Sequence, residues 1–247
     1  MELLVDPSFS AEGLLCEEES AHCVKVLRHK AGDCVFVSDG AGAVFSCRLA
    51  KADPRGCQLD VEEVRRYEKP RPDLWMAVAP TKNIDRFEWF VEKAVEIGVG
   101  RITPLVCERS ERTKVRVDRL ERLVVAAAKQ SLKFFLPKLD EPVLFPSVMK
   151  DANLPAQRFI LHCGAAPKQH LFNAASPDCD VLVLVGPEGD FSPAEVAMAT
   201  GASCVECTLG PERLRTETAA LVATSIISLR SQLKQQEFDF STVNTTK

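Results

Sequence analysis

The chain has 247 residues, 46% hydrophobic and 27% charged, with a formal net charge of -4, a balance that argues against both a disordered chain and a uniformly basic nucleic-acid binder. No aliphatic run approaches the roughly 20 residues of a membrane span, and the start MELLVDPSFS lacks a basic stretch followed by an apolar one, so a cytoplasmic protein with no membrane association is expected. Ten cysteines and four histidines are scattered; only Cys204 and Cys207 form a C-x-x-C, within an apparent strand, so the cysteines read as small buried residues and no metal site is expected.

Residues 1–70 read as an all-β unit. A short helix over residues 20–28 precedes DCVFVSD, AVFSCRLAK and CQLDVEEVRR, three segments with partial alternation, and Asp39-Gly40-Ala41-Gly42 joins the first two as a hairpin turn. Short strands in so small a unit suggest a compact barrel. Lys69-Pro70-Arg71-Pro72 interrupts regular structure and marks the boundary, because proline lacks a donor and constrains the residue before it.

Residues 73–232 alternate strand and helix, the pattern of an α/β domain with a mainly parallel sheet. The strand LWMAVAP leads to a helix with Phe87, Phe90, Val91, Ala94 and Ile97 on one face, stopped at Gly98. RITPLV is the next strand, and a helix begins at Asp118. RFILHC and VLVLV follow as strands, with a short helix over residues 168–175 between them. Ser192-Pro193-Ala194-Glu195 is a capping box with proline at the first helical position. CVECTL is the last strand and residues 218–232 the last helix, leaving a polar, frayed tail over residues 233–247.

Ligands of open α/β sheets sit beyond the carboxyl ends of strands. Three strands are followed there by glycine loops: His162-Cys163-Gly164, Gly186-Pro187-Glu188-Gly189-Asp190 and Gly210-Pro211-Glu212-Arg213-Leu214-Arg215. Neither a dinucleotide G-x-G-x-x-G nor a P-loop is present, and any one loop taken alone is also a simple tight turn. The third continues into Thr216, Glu217 and Thr218, a polar cluster that points to a site. Basic residues concentrate elsewhere: residues 101–138 hold ten Lys or Arg against four Asp or Glu. By itself that run fits a solvated face or a phosphate-tracking surface equally well.

LVGPEGDFSPAEV followed by LGPERLRTETAA resembles the G-P-E-G-G-F-S and L-G-x-R-I-L-R-x-E-T-A signatures of the ribosomal RNA small-subunit methyltransferase E family (RsmE), one of the knotted SPOUT methyltransferases. AHCVKVLRHKAGDCVFVSDGAG and KNIDRFEWFVEKAVEIGVGRITPLVCERS are similar to that family's amino-terminal barrel and to its first strand, helix and basic loop, so the likeness runs from about residue 22 to 228. It implies a PUA-like RNA-binding β-barrel over residues 1–70, and a SPOUT domain over 73–232 with a carboxyl-terminal trefoil knot. It also implies a homodimer, S-adenosyl-L-methionine as cofactor, and methylation of N3 of a uridine in 16S rRNA of the small ribosomal subunit.

On that resemblance the cofactor-binding residues are Gly186, Pro187, Glu188, Gly189, Leu209, Gly210, Leu214 and Arg215, with His162 and Cys163 placed by order of loops. Uracil N3 must lose a proton to attack, so a cation beside its carbonyl oxygens is required, and Arg215 is the candidate. Glu217 is either the base or a cap of the last helix through Thr216 or Thr218. Lys25, Arg28 and Lys30, with Arg109, Arg112 and Lys114, are the expected phosphate contacts. The chain departs from the family pattern at Asp190, at Glu212 and Arg213, and at Gln130-Ser131-Leu132-Lys133, where lysine replaces a planar guanidinium. Another RNA target, such as a transfer-RNA ribose hydroxyl, and a non-catalytic ribosome-assembly factor are the alternatives.

Overall fold

The structure, a computed structural model, describes residues 2–164 and 166–243, with side chains as far as residue 233. The chain divides into two compact units, Met1–Lys69 with Val124–Leu136, and Pro70–Leu123 with Pro137–Lys247.

In the first unit β1 (Leu3–Val5), β2 (Cys34–Ser38), β3 (Ala43–Lys51) and β4 (Gln58–Arg66) form one sheet in that order, β1 parallel to β2 and the others antiparallel. The turn between β2 and β3 is held by the Asp39 carboxylate, which accepts from the Ala41 and Ala43 amides. Between β1 and β2 lie α1 (Glu17–Ala21) and a π-helical turn, His22–Val26, over the expected helix. The core joins Leu4, Phe9, Leu15, Val37, Phe45 and Leu59 with Cys23, Cys47 and Cys57. Burial pushes the Cys23 thiol up to about 12 and Cys47 to about 11, so both are packing groups.

A later segment of chain completes this unit. The Phe134 carbonyl accepts from the Gly42 amide, Leu136 donates to the Gly40 carbonyl, and Lys129 Nζ reaches the buried Glu19 carboxylate at 2.6 Å, an ion pair across 110 residues of sequence.

The second unit contains β5 (Leu74–Val78), α2 (Ile84–Ile97), β6 (Arg101–Val106), the first half of α3 (Val117–Gln130), β7 (Lys138–Leu139), β8 (Val143–Leu144) and α4 (Phe145–Met149). It continues through β9 (Gln157–Leu161), β10 (Gln169–His170), α5 (Leu171–Ala174), β11 (Val181–Val185), α6 (Pro193–Gly201), β12 (Val205–Thr208) and α7 (Thr216–Val243). Its strands are parallel in the order β10-β12-β9-β11-β5-β6-β7, with β8 paired to β6. All five residues of β11 are buried, as a central parallel strand covered on both faces must be. Trp75, Leu105, Phe145, Ile160, Leu182 and Phe191 form one apolar cluster, while α2 packs against α7.

The final helix is longer than expected. It starts at Thr216 and runs to Val243, so most of the segment read as a polar tail is helical; SQLKQQEF is rich in good helix formers, and polarity alone does not end a helix. Residues 244–247 of that expected tail lie outside the described residues. The short helix expected over 168–175 is a two-residue strand followed by one turn of helix, because residues 169 and 170 pair with Cys207 and Thr208.

Candidate active site

Strand order positions the site. β9 lies between β12 and β11, so the loops leaving their carboxyl ends are neighbours and enclose a cavity of about 1020 Å³. That is ample for a ligand the size of a nucleoside with an amino-acid arm.

The loop after β9 contributes His162, Cys163 and Gly164. His162 is nearly buried; its Nε2 lies 2.7 Å from the Glu206 carboxylate, and its Nδ1 accepts from the Gly164 amide at 3.1 Å. Those two bonds require the Nε2–H tautomer, with the proton facing Glu206. A side chain at Gly164 would meet the His162 ring at 2.8 Å, so glycine is needed for this folded-back turn. Lys168 Nζ donates to the Gly164 carbonyl.

The loop after β11 contributes Gly186, Pro187, Glu188 and Asp190. Glu188 accepts from the Lys82 amide at 2.9 Å, and the Gly186 carbonyl accepts from the Thr216 hydroxyl at 3.0 Å. The loop after β12 contributes Leu209, Gly210, Leu214 and Arg215, with Gly210 at φ 129°, a conformation that favours glycine. Arg215 is exposed to the cavity, and among the described residues no side-chain partner engages its guanidinium. Glu217, in the first turn of α7, is buried and faces Arg86 Nε at 3.8 Å.

The cavity thus gathers nine of the ten cofactor residues named from sequence, together with Glu217. Gly189 is not on its wall: it turns toward Arg109, whose Cβ lies 3.3 Å from where a Gly189 side chain would begin. Arg86 and Lys168 line the wall and were not named from sequence. Arg86 follows β5, the neighbour of β11, so extending the search for strand-end loops to LWMAVAP finds it.

The candidate RNA contacts divide. Lys25, Arg28, Lys30 and Lys114 are exposed. Arg109, also exposed, and the half-buried Arg112 donate to backbone carbonyls: Arg109 Nη1 to Gly189 O at 3.0 Å and Phe191 O at 3.4 Å, Arg112 to Thr81 O and Lys82 O at 3.1 and 2.8 Å. Part of the basic run therefore braces the loops around the cavity. Cys204 and Cys207 are buried, and desolvation pushes both thiols up to about 11, as expected of packing groups.

Residues 68–228 match the RNA methyltransferase domain family and residues 15–62 the RNA methyltransferase PUA domain. A ribosomal RNA small subunit methyltransferase E from Mycobacterium bovis is 30% identical over 235 residues, 90% of this chain and 88% of its own length. A probable rRNA-methyltransferase from Porphyromonas gingivalis superposes with a TM-score of 0.89 at 36% identity, covering 95% of this chain and 100% of that one. A methyltransferase from Legionella pneumophila, solved with bound SAM, gives 0.81 at 25% identity over 93% of this chain and 97% of its own.

Proposed function

The chain belongs to the RNA methyltransferase family, its amino-terminal unit carrying the PUA domain, and from that premise we propose that it transfers a methyl group from S-adenosyl-L-methionine to N3 of a uridine in 16S rRNA of the small ribosomal subunit. The observation that carries this reading is the cavity at the ends of β9, β11 and β12, walled by the residues that match the family signatures.

The cavity suits the cofactor. Leu209, Leu214 and Val185 supply apolar wall, the glycine loops bring peptide groups close, and the Glu188 and Glu217 carboxylates favour a ligand with cationic groups. When bound, the cofactor supplies an activated methyl group; orientation and activation of the nucleophile fall to the protein. Uracil N3 carries a proton, and its loss leaves negative charge shared with the two flanking carbonyl oxygens. Arg215, whose guanidinium has no side-chain partner among the described residues, offers donors to those oxygens. Glu217, in the first turn of α7 and 3.8 Å from Arg86 Nε, is the carboxylate placed to accept the N3 proton.

Lys25, Arg28, Lys30 and Lys114 are our phosphate contacts, in the PUA unit and the loop after β6. We also propose a homodimer: Val222, Ile226, Leu229 and Leu233 recur along α7 at spacings of four, three and four, with Leu229 55% and Leu233 53% exposed, a stripe suited to a second copy. The knot of the resembling family belongs to this same reading, as does a cytoplasmic location alongside the ribosome.

N3 methylation blocks the pairing edge of uracil, so reverse transcription across small-subunit rRNA stops at the modified base. The stop is expected in cells with the protein and absent without it. A stop that persists in the deletion strain overturns the assignment, and a methyl group found on a ribose hydroxyl of another RNA redirects it.

A further inference from the structure

Asp190 is among the cavity residues to which the proposed reaction gives no role. Asp190 stands where the resembling signature has its second glycine, and its backbone keeps a glycine-like conformation at φ 62°. A residue with a side chain pays for that conformation, although Asp tolerates it better than most because its carboxylate bonds to nearby amides. Both oxygens are used. Oδ1 accepts from the Phe191 amide at 2.8 Å, and Oδ2 accepts from the Cys163 amide at 3.0 Å, 27 residues away on the loop after β9.

We propose that Asp190 is a positioning residue for the cofactor: its carboxylate clasps the loop after β9 onto the loop after β11 and fixes the peptide groups at Cys163 in their place on the cavity wall. The inference rests on the reading of that cavity as the S-adenosyl-L-methionine site. The loop after β9 is anchored on its other side by the His162–Glu206 pair, which ties it to β12. With Asp190 in place it is held from both flanks, by β12 and by the loop after β11. Without it, the segment from Cys163 onward hangs from one side, and a ligand that needs its shape must order it on binding.

The replacement that isolates the clasp is Asp190→Gly, since glycine accepts the left-handed backbone without strain. Three quantities are measured on the full protein: the affinity for S-adenosyl-L-methionine by calorimetry, the hydrogen-exchange rate of the Cys163 amide without ligand, and the thermal midpoint. The expected result is a roughly tenfold weaker cofactor affinity and faster exchange at Cys163, with a midpoint unchanged or raised. Asp190→Asn keeps the backbone tolerance and one acceptor oxygen, and should fall between wild type and glycine. Unchanged affinity and unchanged Cys163 exchange in Asp190→Gly would overturn the clasp. A midpoint that fell in step with the affinity would overturn it too, assigning Asp190 to general stability. A wild-type protein that bound no cofactor would instead overturn the reading of the cavity, while the exchange rates still reported on the clasp.

Discussion

At the amino ends of β5 and β6, polar side chains satisfy one another; around the carboxyl ends of β9, β11 and β12, several of them bond instead to the main chain of a neighbouring loop, and Arg215 faces the cavity. In the first region the Asp140 carboxylate receives Arg101 Nε at 2.7 Å, Lys138 Nζ at 3.1 Å and the Thr103 hydroxyl, which itself accepts from Trp75 Nε1 at 2.7 Å. The Arg101 guanidinium also lies 3.6 Å above the Trp75 ring. In the second region Glu188, Asp190, Thr216 and Arg109 each place a polar atom on a neighbouring loop's main chain, and among the described residues no side-chain partner engages Arg215. A closed side-chain network stabilises the sheet and has nothing left for a ligand. Single side-chain ties shape loops at less energetic depth and keep donors and acceptors facing the cavity.

The largest effect expected is at Arg215. Arg215→Ala should lower methyl transfer to unmethylated small subunits by about 100-fold or more, the scale of losing a principal charge-stabilising donor. Calorimetry should show cofactor affinity nearly retained, and the melting curve should not move. Turnover equal to wild type would remove Arg215 from the chemistry and weaken the contrast between the two strand ends.

Asp140 should behave in the opposite way. Asp140→Asn is expected to cost about 2 kcal/mol in stability, mainly because the half-buried Arg101 loses its counter-charge on a carboxylate that is itself only 9% exposed, the exposed Lys138 adding little, and to leave cofactor affinity unchanged. Burial raises the Asp140 carboxyl, but the hydrogen bonds from Arg101, Thr103 and Lys138 outweigh it and hold it below its ordinary value of 3.8. A depressed carboxyl contributes stability that is whole above the unfolded value and lost as the pH falls through the lower folded one. The wild-type advantage over Asp140→Asn should therefore be full at neutral pH and shrink below about pH 3.8. Denaturant melts of both proteins across that range test it; a constant difference would show that charge is not what Asp140 contributes.

The two regions were also unequally legible from sequence. Elements with a local signal came through closely: β3 and β6 match their segments end to end, Ser192 and Glu195 form the capping box, and Gly98 ends α2. The strands β7, β8 and β10 are two residues each and exist only through pairing with β6 or β12, which no local pattern announces. The return of residues 124–136 to the first unit depends on contacts such as Lys129 with Glu19, invisible without the fold. At the site, a strand followed by glycine was a sufficient signal for the three loops. Asp190 showed as a departure with no partner in view, and Arg86 was missed because its loop carries no glycine. For Arg109 and Arg112 the charge was legible and the opposing carbonyls were not.

Arg109 gives the smallest effect and the finest test of the difference between bracing a loop and gripping a phosphate. Its Nη1 donates to the carbonyls of Gly189 and Phe191, on either side of Asp190, so removing it loosens the same loop from its outer face. Arg109→Ala should weaken cofactor affinity by roughly three- to tenfold, the worth of one charge-assisted bond at a partly exposed site. Each phosphate contact adds roughly 0.7 to 0.9 to the slope of log affinity against log salt for RNA binding, and a bracing arginine adds none. The slope for Arg109→Ala should then match wild type, while Lys25→Ala or Lys114→Ala lowers it by nearly one contact each. Arg109→Lys asks whether one cationic nitrogen is enough: Nη1 alone makes both bonds, so a lysine ammonium reaching the same two carbonyls should recover part of the cofactor affinity that alanine loses. Intact cofactor affinity with a reduced salt slope would return Arg109 to the RNA surface and leave the loop after β11 braced from the cavity side alone.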